Sequence, residues 1–219
     1  MRERSRVQPD PRELRMRMVD QQLRARDVTD ERVLAAMERV PRELFVPEEL
    51  RDRAYDDAAL PIAGGQTISQ PYMVAKICEA LALRGDEHVL DVGSGSGYQA
   101  AVLAELAAEV DTIERIPELA ALARSNLTAA GYERVQVHVG DGTRGLPKRA
   151  PFDAIAVAAA APRLPQTLYD QLEPGGRLVV PVGRYGVQQL EVIVRSPEGP
   201  AVIRSVPCRF VPLLGDEGF

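Results

Sequence analysis

The chain has 219 residues and a mass of 23.9 kDa, with 27 basic against 32 acidic residues and a formal net charge of −5. Hydrophobic residues make up 45% and charged residues 27%, the mix of one ordinary globular domain with at most a modest appendage. That balance excludes collagen-like, disulfide-dense and long disordered chains. An acidic net charge argues against general binding of nucleic acid, and the apolar runs fall far short of the ~20 residues of a membrane span.

Residues 1–11 read as a flexible arm, with Arg2, Arg4 and Arg6 as a solvated cluster, ending at the Pro9-Asp10-Pro11 breaker. Leu14, Met18 and Leu23 then fall at roughly helical spacing up to Asp27. Thr29 or Asp30 can cap a second helix whose apolar stripe is Val33, Leu34, Met37 and Val40, stopped by Pro41. A short helix over 42–50, an ordered loop over 51–70 and a helix from Pro71 to Leu83 follow. From there strands alternate with helices. Strands are predicted at 88–93, 110–114, 135–139, 153–158 and 177–183, with helices at 98–107, 117–131 and 165–172 between them. Such alternation predicts a parallel sheet covered on both faces. The stretch 187–214 has no helical period and predicts strands about the turn at Pro197-Glu198-Gly199, so the sheet finishes antiparallel.

The two cysteines, Cys78 and Cys208, lie far apart with no ligand-like spacing and are expected as free, mostly buried thiols. The charged N-terminus has no apolar core of a secretory signal, and a cytoplasmic location is the expectation.

The chemistry is concentrated in VLDVGSGSGYQ, residues 89–99. Gly93, Gly95 and Gly97 stand between a predicted strand and helix, where missing side chains let a ligand lie against the backbone. A dinucleotide fingerprint wants glycine at position 98, and Tyr98 is there instead. Glu114 ends the next strand, where a carboxylate can accept from both hydroxyls of a ribose. Asp141 and Gly142 follow the third strand, suited to an adenine amino group and ring nitrogen. A strand leading into Asp91-x-Gly93-x-Gly95-x-Gly97 resembles the first motif of S-adenosylmethionine-dependent methyltransferases.

The co-occurrence of YDDAALPIAGGQTISQP (55–71), VGDG (139–142), PFDAIAV (151–157) with its alanine run, QLEPGGRLVVPVG (171–183) and RFVPL (209–213) closely resembles the protein-L-isoaspartate O-methyltransferases of bacterial type. The resemblance covers nearly the whole chain from about residue 12, and Ala63, where bacterial members often have glycine, is a small departure. It implies a seven-strand, Rossmann-like class I methyltransferase: α/β, a mostly parallel doubly wound sheet, antiparallel C-terminal strands and an N-terminal helical addition. It further implies one domain over 12–219, with helices and substrate loop in 12–84 and the cofactor-binding sheet in 85–219.

By that resemblance the cofactor is S-adenosyl-L-methionine, leaving as S-adenosyl-L-homocysteine, and the acceptor is the α-carboxyl of isoaspartyl residues in damaged proteins and peptides. Ser69 is then the active-site serine. Thr67, Ile68, Asp91, Gly93, Ser94, Gly95, Gly97, Glu114, Arg115, Asp141 and Gly142 bind the cofactor, while Pro61, Ala160 and Val211 meet the substrate. No metal is expected, because methyl transfer to a carboxylate has no water to activate. No nucleic-acid or membrane partner is expected, and the protein is expected to be a monomer. With its only histidines, His88 and His138, inside predicted strands, a Ser–His nucleophile is disfavoured. Ser69 alone also reads as a cap for the helix at Pro71. Two alternatives remain beside this reading: a related aspartyl O-methyltransferase dedicated to one peptide natural product, and a nucleotide-binding oxidoreductase or non-catalytic nucleotide binder.

Overall fold

A computed structural model describes residues 10–184 and 186–219. The expected arm, with Arg2, Arg4 and Arg6, lies outside the described residues apart from Asp10 and Pro11. Asp10 accepts a hydrogen bond from the N–H of Arg12 at 2.9 Å and opens α1, Pro11–Met18. The chain then winds on as a π-helical turn, Val19–Arg24, rather than as continued α-helix. Met18, Val19 and Leu23 are buried along it, so it keeps the apolar side of the segment on the core.

Asp30 caps α2, Glu31–Arg39, accepting from the N–H groups of Arg32 and Val33, so the capping choice between Thr29 and Asp30 falls to Asp30. Where one short helix was expected over 42–50, two 3₁₀ segments form, Arg42–Leu44 and Glu48–Arg53, because Pro47 cannot continue the first. The following loop carries a minimal hairpin of β1, Leu60–Pro61, and β2, Thr67–Ile68. It delivers the chain to α3, Pro71–Leu81.

The main sheet comprises β3 (His88–Val92), β4 (Glu109–Glu114), β5 (Gln136–Val139), β6 (Phe152–Val157), β7 (Leu172–Arg184), β8 (Val187–Ser196) and β9 (Gly199–Cys208). Its order is β5-β4-β3-β6-β7-β8-β9, parallel from β5 to β7 and antiparallel through β8 and β9. Helices α4 (Tyr98–Ala104), α5 (Pro117–Ala129) and α6 (Gln166–Asp170) make the connections. Alternation along the strands splits the core in two. Val89, Ala154, Ala156 and Val179 face the side covered by α1 to α5, while Leu90, Val92, Ile155, Val157, Leu178 and Val180 face the other. A fully buried aliphatic side chain contributes roughly 1.5–3 kcal/mol, so each face is a substantial source of stability.

The strand order reverses between β3 and β6: the chain leaves β3 for β4 and β5, then returns to β6 on β3's other side. Ligands of open α/β sheets bind at such a switch point, outside the carboxyl ends of the strands.

Candidate active site

Two adjoining clefts, of about 890 and 870 Å³, open at that point. The first is walled by the turn after β3, the end of β4, Gly142, the β2 segment and the C-terminal residues 211–214. The turn depends on its glycines: Gly93, Gly95 and Gly97 all have positive φ, at +96°, +52° and +92°. The N–H of Gly93 donates to the carbonyl of Ile113 at 2.9 Å, docking the turn on β4.

Beneath the turn lies a buried polar chain. The carboxylate of Asp91, fully buried, accepts from Gln99 Nε2 and Thr112 Oγ1, both at 2.8 Å. Since Thr112 spends its proton on Asp91, the 2.7 Å contact between Ser94 Oγ and Thr112 is donated by Ser94. Burial pushes Asp91 up to about 6, against the pull of its two hydrogen bonds. Asp91 thus sits behind the cleft wall, and Gln99 is its delegate: Gln99 lines the cleft, and its Oε1 is buried without a hydrogen-bond partner. A buried orphan acceptor beside a ligand cleft suits a ligand that brings N–H donors.

Glu114 is 8% exposed at the end of β4, and its two oxygens accept from the N–H groups of Gly95 (2.9 Å) and Ile116 (3.0 Å). Each oxygen keeps a lone pair for a ligand hydroxyl. Thr67, Ile68, Ser94 and Arg115 also line the first cleft. Gly142 brings its backbone so close to β3 that a Cβ there would stand 2.7 Å from Val92 Cγ1.

Other expected residues lie further back. Gly97 caps α4 and packs against Ala123 and Leu127. Asp141 accepts from Thr143 N and Oγ1 at 2.9 and 2.7 Å and from Asp216 N at 3.0 Å, tying the C-terminal tail to the sheet. Burial would raise its carboxyl, but these bonds hold it below the usual range. Pro61 is exposed on β1 and is not part of either cleft wall. Ala160 is buried in a bridge to Pro212, its carbonyl accepting from Leu213 N at 2.7 Å.

Ser69 lines both clefts, as do Thr67, Ala158, Val211 and Pro212. It does not cap α3: the cap position is Gln70, and no side chain there bonds the helix N-terminus. The capping explanation of Ser69 falls away. Neither histidine approaches it. His88 and His138 both contact Asp111, at 2.7 and 2.5 Å, and Arg149 reaches the same carboxylate at 3.0 Å. The potential ligand atoms of His88, Glu109 and Asp111 lie within 4.8 Å of one another, but the Arg149 guanidinium bonds both acids and supplies their countercharge. Tyr55 and Tyr72 bond Glu43 and Asp27 outside both cleft walls, whereas Tyr98 lines the first cleft and contacts Met37 Sδ at 3.7 Å. Ala158, the first residue of the alanine run, is a wall residue, as are Gln99, Leu213 and Leu214, to which the sequence assigned no ligand contact.

A glycine turn after the first long strand, an acid ending the second and a cleft at the switch point define a Rossmann-like nucleotide-binding fold, and comparison with known proteins places it among the methyltransferases. The family model for protein-L-isoaspartate(D-aspartate) O-methyltransferase (PCMT) matches residues 13–218. A protein-L-isoaspartate O-methyltransferase of Marinobacter nauticus is 58% identical over 96% of this chain and 97% of its own length. One of Methanoculleus marisnigri is 52% identical over 97% of both. A Plasmodium falciparum structure described as the same enzyme, crystallised with S-adenosyl-L-homocysteine, superposes with a TM-score of 0.78 at 26% identity, over 91% of this chain and 98% of that one. The chain belongs to the protein-L-isoaspartate(D-aspartate) O-methyltransferase family. Its α/β fold, with a mostly parallel sheet ending antiparallel, is theirs. Among the described residues no helix is long and apolar enough to cross a membrane.

Proposed function

We propose that this protein transfers the methyl group of S-adenosyl-L-methionine to the α-carboxyl of L-isoaspartyl residues in damaged proteins and peptides, releasing S-adenosyl-L-homocysteine. The observation that carries the reading is the position of Ser69 on the seam between a cofactor-suited cleft and a second cleft walled by Met73, Arg209 and Phe210. The cofactor supplies an electrophilic sulfonium methyl. Glu114 and the turn 93–95 would hold its ribose, the N–H of Gly142 would meet an adenine ring nitrogen, and Gln99 Oε1 would offer an acceptor.

The acceptor needs no general base, because a carboxyl with a pKa near 4 is already ionised at neutral pH. What it lacks is alignment and a dry path, and alignment alone can supply roughly 7–11 kcal/mol of a barrier. In this reading Ser69 donates one hydrogen bond, orienting the carboxylate without quenching it as a bidentate guanidinium would. Val211 and Ala158 line both clefts and would flank the acceptor peptide. The methyl ester then loses methanol to attack by the following peptide nitrogen, and the succinimide hydrolyses partly to aspartate.

In this reading residues 12–219 act as one monomeric, metal-independent domain in the cytoplasm, with 12–84 as the substrate-side addition and no nucleic-acid or membrane partner. Ser69→Ala is the test. With isoaspartyl peptide, kcat is expected to fall by about 5–150-fold, the worth of one neutral hydrogen bond of about 1–3 kcal/mol, while cofactor affinity stays nearly intact. A stable variant with full turnover removes Ser69 from the chemistry.

A further inference from the structure

Among the described residues Arg42 is the largest fully buried side chain, with no exposure to solvent. It lies in the 3₁₀ segment after α2, remote in sequence from every motif above. Its Nε donates to the carbonyl of Ala54 at 2.7 Å and its Nη2 to the carbonyl of Ser69 at 2.9 Å. Nη1 has no hydrogen-bond partner, and the guanidinium carbon stands 4.7 Å from the centre of the Tyr98 ring.

This is an expensive arrangement for mere filling. A buried cation held by neutral carbonyls and an aromatic face loses its hydration for modest compensation, and an apolar side chain of similar volume often does as well or better. Burial accordingly works to lower the pKa of the group. What distinguishes the site is what the fork touches. Ala54 and Ser69 bracket the segment that contains the β1–β2 hairpin, so Arg42 staples the two ends of that loop together. Tyr98, the third contact, lines the cofactor cleft and opens α4 directly after Gly97. One planar group therefore references the backbone of Ser69 to the helix behind the glycine turn.

We infer that Arg42 is a positioning residue for methyl transfer, fixing the Ser69 backbone so that the serine hydroxyl meets the acceptor carboxylate in line with the cofactor cleft. The inference rests on the reading that Ser69 orients the acceptor. Lysine cannot replace Arg42 in this role: an ammonium is a compact point donor that neither spans two carbonyls in one plane nor stacks on a ring.

The test is a double-mutant cycle on kcat, measured with isoaspartyl peptide at saturating S-adenosylmethionine for wild type, Ser69→Ala, Arg42→Lys and the double variant. Arg42→Met, of similar volume and without the buried charge, is carried through both backgrounds as a second substitution. Displacement of an aligned group by an ångström costs on the order of 100-fold. Arg42→Lys and Arg42→Met are each expected to lower kcat severalfold, up to but not beyond the loss in Ser69→Ala, when Ser69 is present and by less than about twofold when it is alanine. Any loss of folding stability should be the same in both backgrounds, because it does not pass through the hydroxyl. Equal kcat losses in the two backgrounds would overturn the inference and make Arg42 a packing residue. Full turnover of Ser69→Ala would instead strike the Ser69 reading itself, and Arg42's role with it. Failure of both Arg42 variants to fold would also count against a positioning role.

Discussion

Replacing Asp91 with asparagine tests the buried network under the glycine turn. Asp91 titrates near 6 in the folded protein because burial disfavours its charge, against an unfolded carboxylate value of about 3.9. Two units correspond to roughly 3 kcal/mol of stability given up when the group is ionised. Between pH ~4 and ~6 the folded state binds this proton more tightly than the unfolded chain, so unfolding free energy falls as pH rises through that window and is level above it. Asparagine removes the charge but must find an acceptor for its new N–H₂. Gln99 Oε1, buried and unpartnered, is available once the Gln99 amide turns over. Asp91→Asn should therefore gain on wild type by up to about 3 kcal/mol from pH 4 to pH 7, while presenting N–H₂ rather than oxygen to the cleft. Urea unfolding across pH 4–8 reads the first effect and calorimetric titration with S-adenosylmethionine the second, expected as weaker binding. A stability difference that does not change between pH 4 and 7 would show that Asp91 carries no such burden.

Glu114→Ala should weaken cofactor binding by about 1–3 kcal/mol, because it removes the acceptor and frees the Gly95 and Ile116 N–H groups that set the turn; unchanged affinity would reduce Glu114 to a structural tie. Gly142→Ala forces a Cβ to 2.7 Å from Val92 Cγ1 and should cost about 1–3 kcal/mol of folding stability along with cofactor affinity, so a variant as stable as wild type would contradict the close approach. Burial would raise the Asp111 carboxyl, but hydrogen bonds from His88, His138 and Arg149 outweigh it and hold the group below the usual range. Its contribution is thus complete above pH ~4 and lost as pH falls towards the lowered value, so Asp111→Asn should cost about 2–4 kcal/mol at neutral pH and progressively less under acid; a loss that stays constant down to pH 2 would refute the assignment.

The fold was largely legible because its signals are local and periodic. Short apolar runs between glycine and proline punctuation placed β3 to β7 within a few residues, and Pro71 and Pro117 marked helix starts that the structure keeps. Departures occur where tertiary packing outweighs local pattern. Leu172–Gly176 extends β7 back past the strand predicted from 177, through a register shift opposite Phe152 and Ala154. The π turn after α1 keeps Met18, Val19 and Leu23 in the N-terminal core, and nothing in the apolar spacing distinguishes it from continued α-helix.

The site was legible to a different depth. Glycines and an acid at strand ends announce a ligand because backbone geometry demands them, and Gly93, Gly95 and Glu114 meet at the first cleft as that logic requires. Ser69 carries no such signature; as a lone serine before a proline it reads equally as a cap, and only resemblance singled it out. Arg42 and Gln99 carried no role for different reasons. Arg42 sits in a polar stretch and is buried by the backbone of Ala54 and Ser69, whereas Gln99 stands inside the glycine motif, where its bond to the buried Asp91 appears only once the turn closes over β3. A polar side chain inside a core must answer for every donor and acceptor it brings, and two of the four buried atoms left without partners among the described residues belong to these two side chains. One lies in the cofactor cleft wall and the other holds the backbone of the serine on the seam. Unsatisfied polarity, unlike periodicity, appears only once the fold is closed, and here it points to the chemistry.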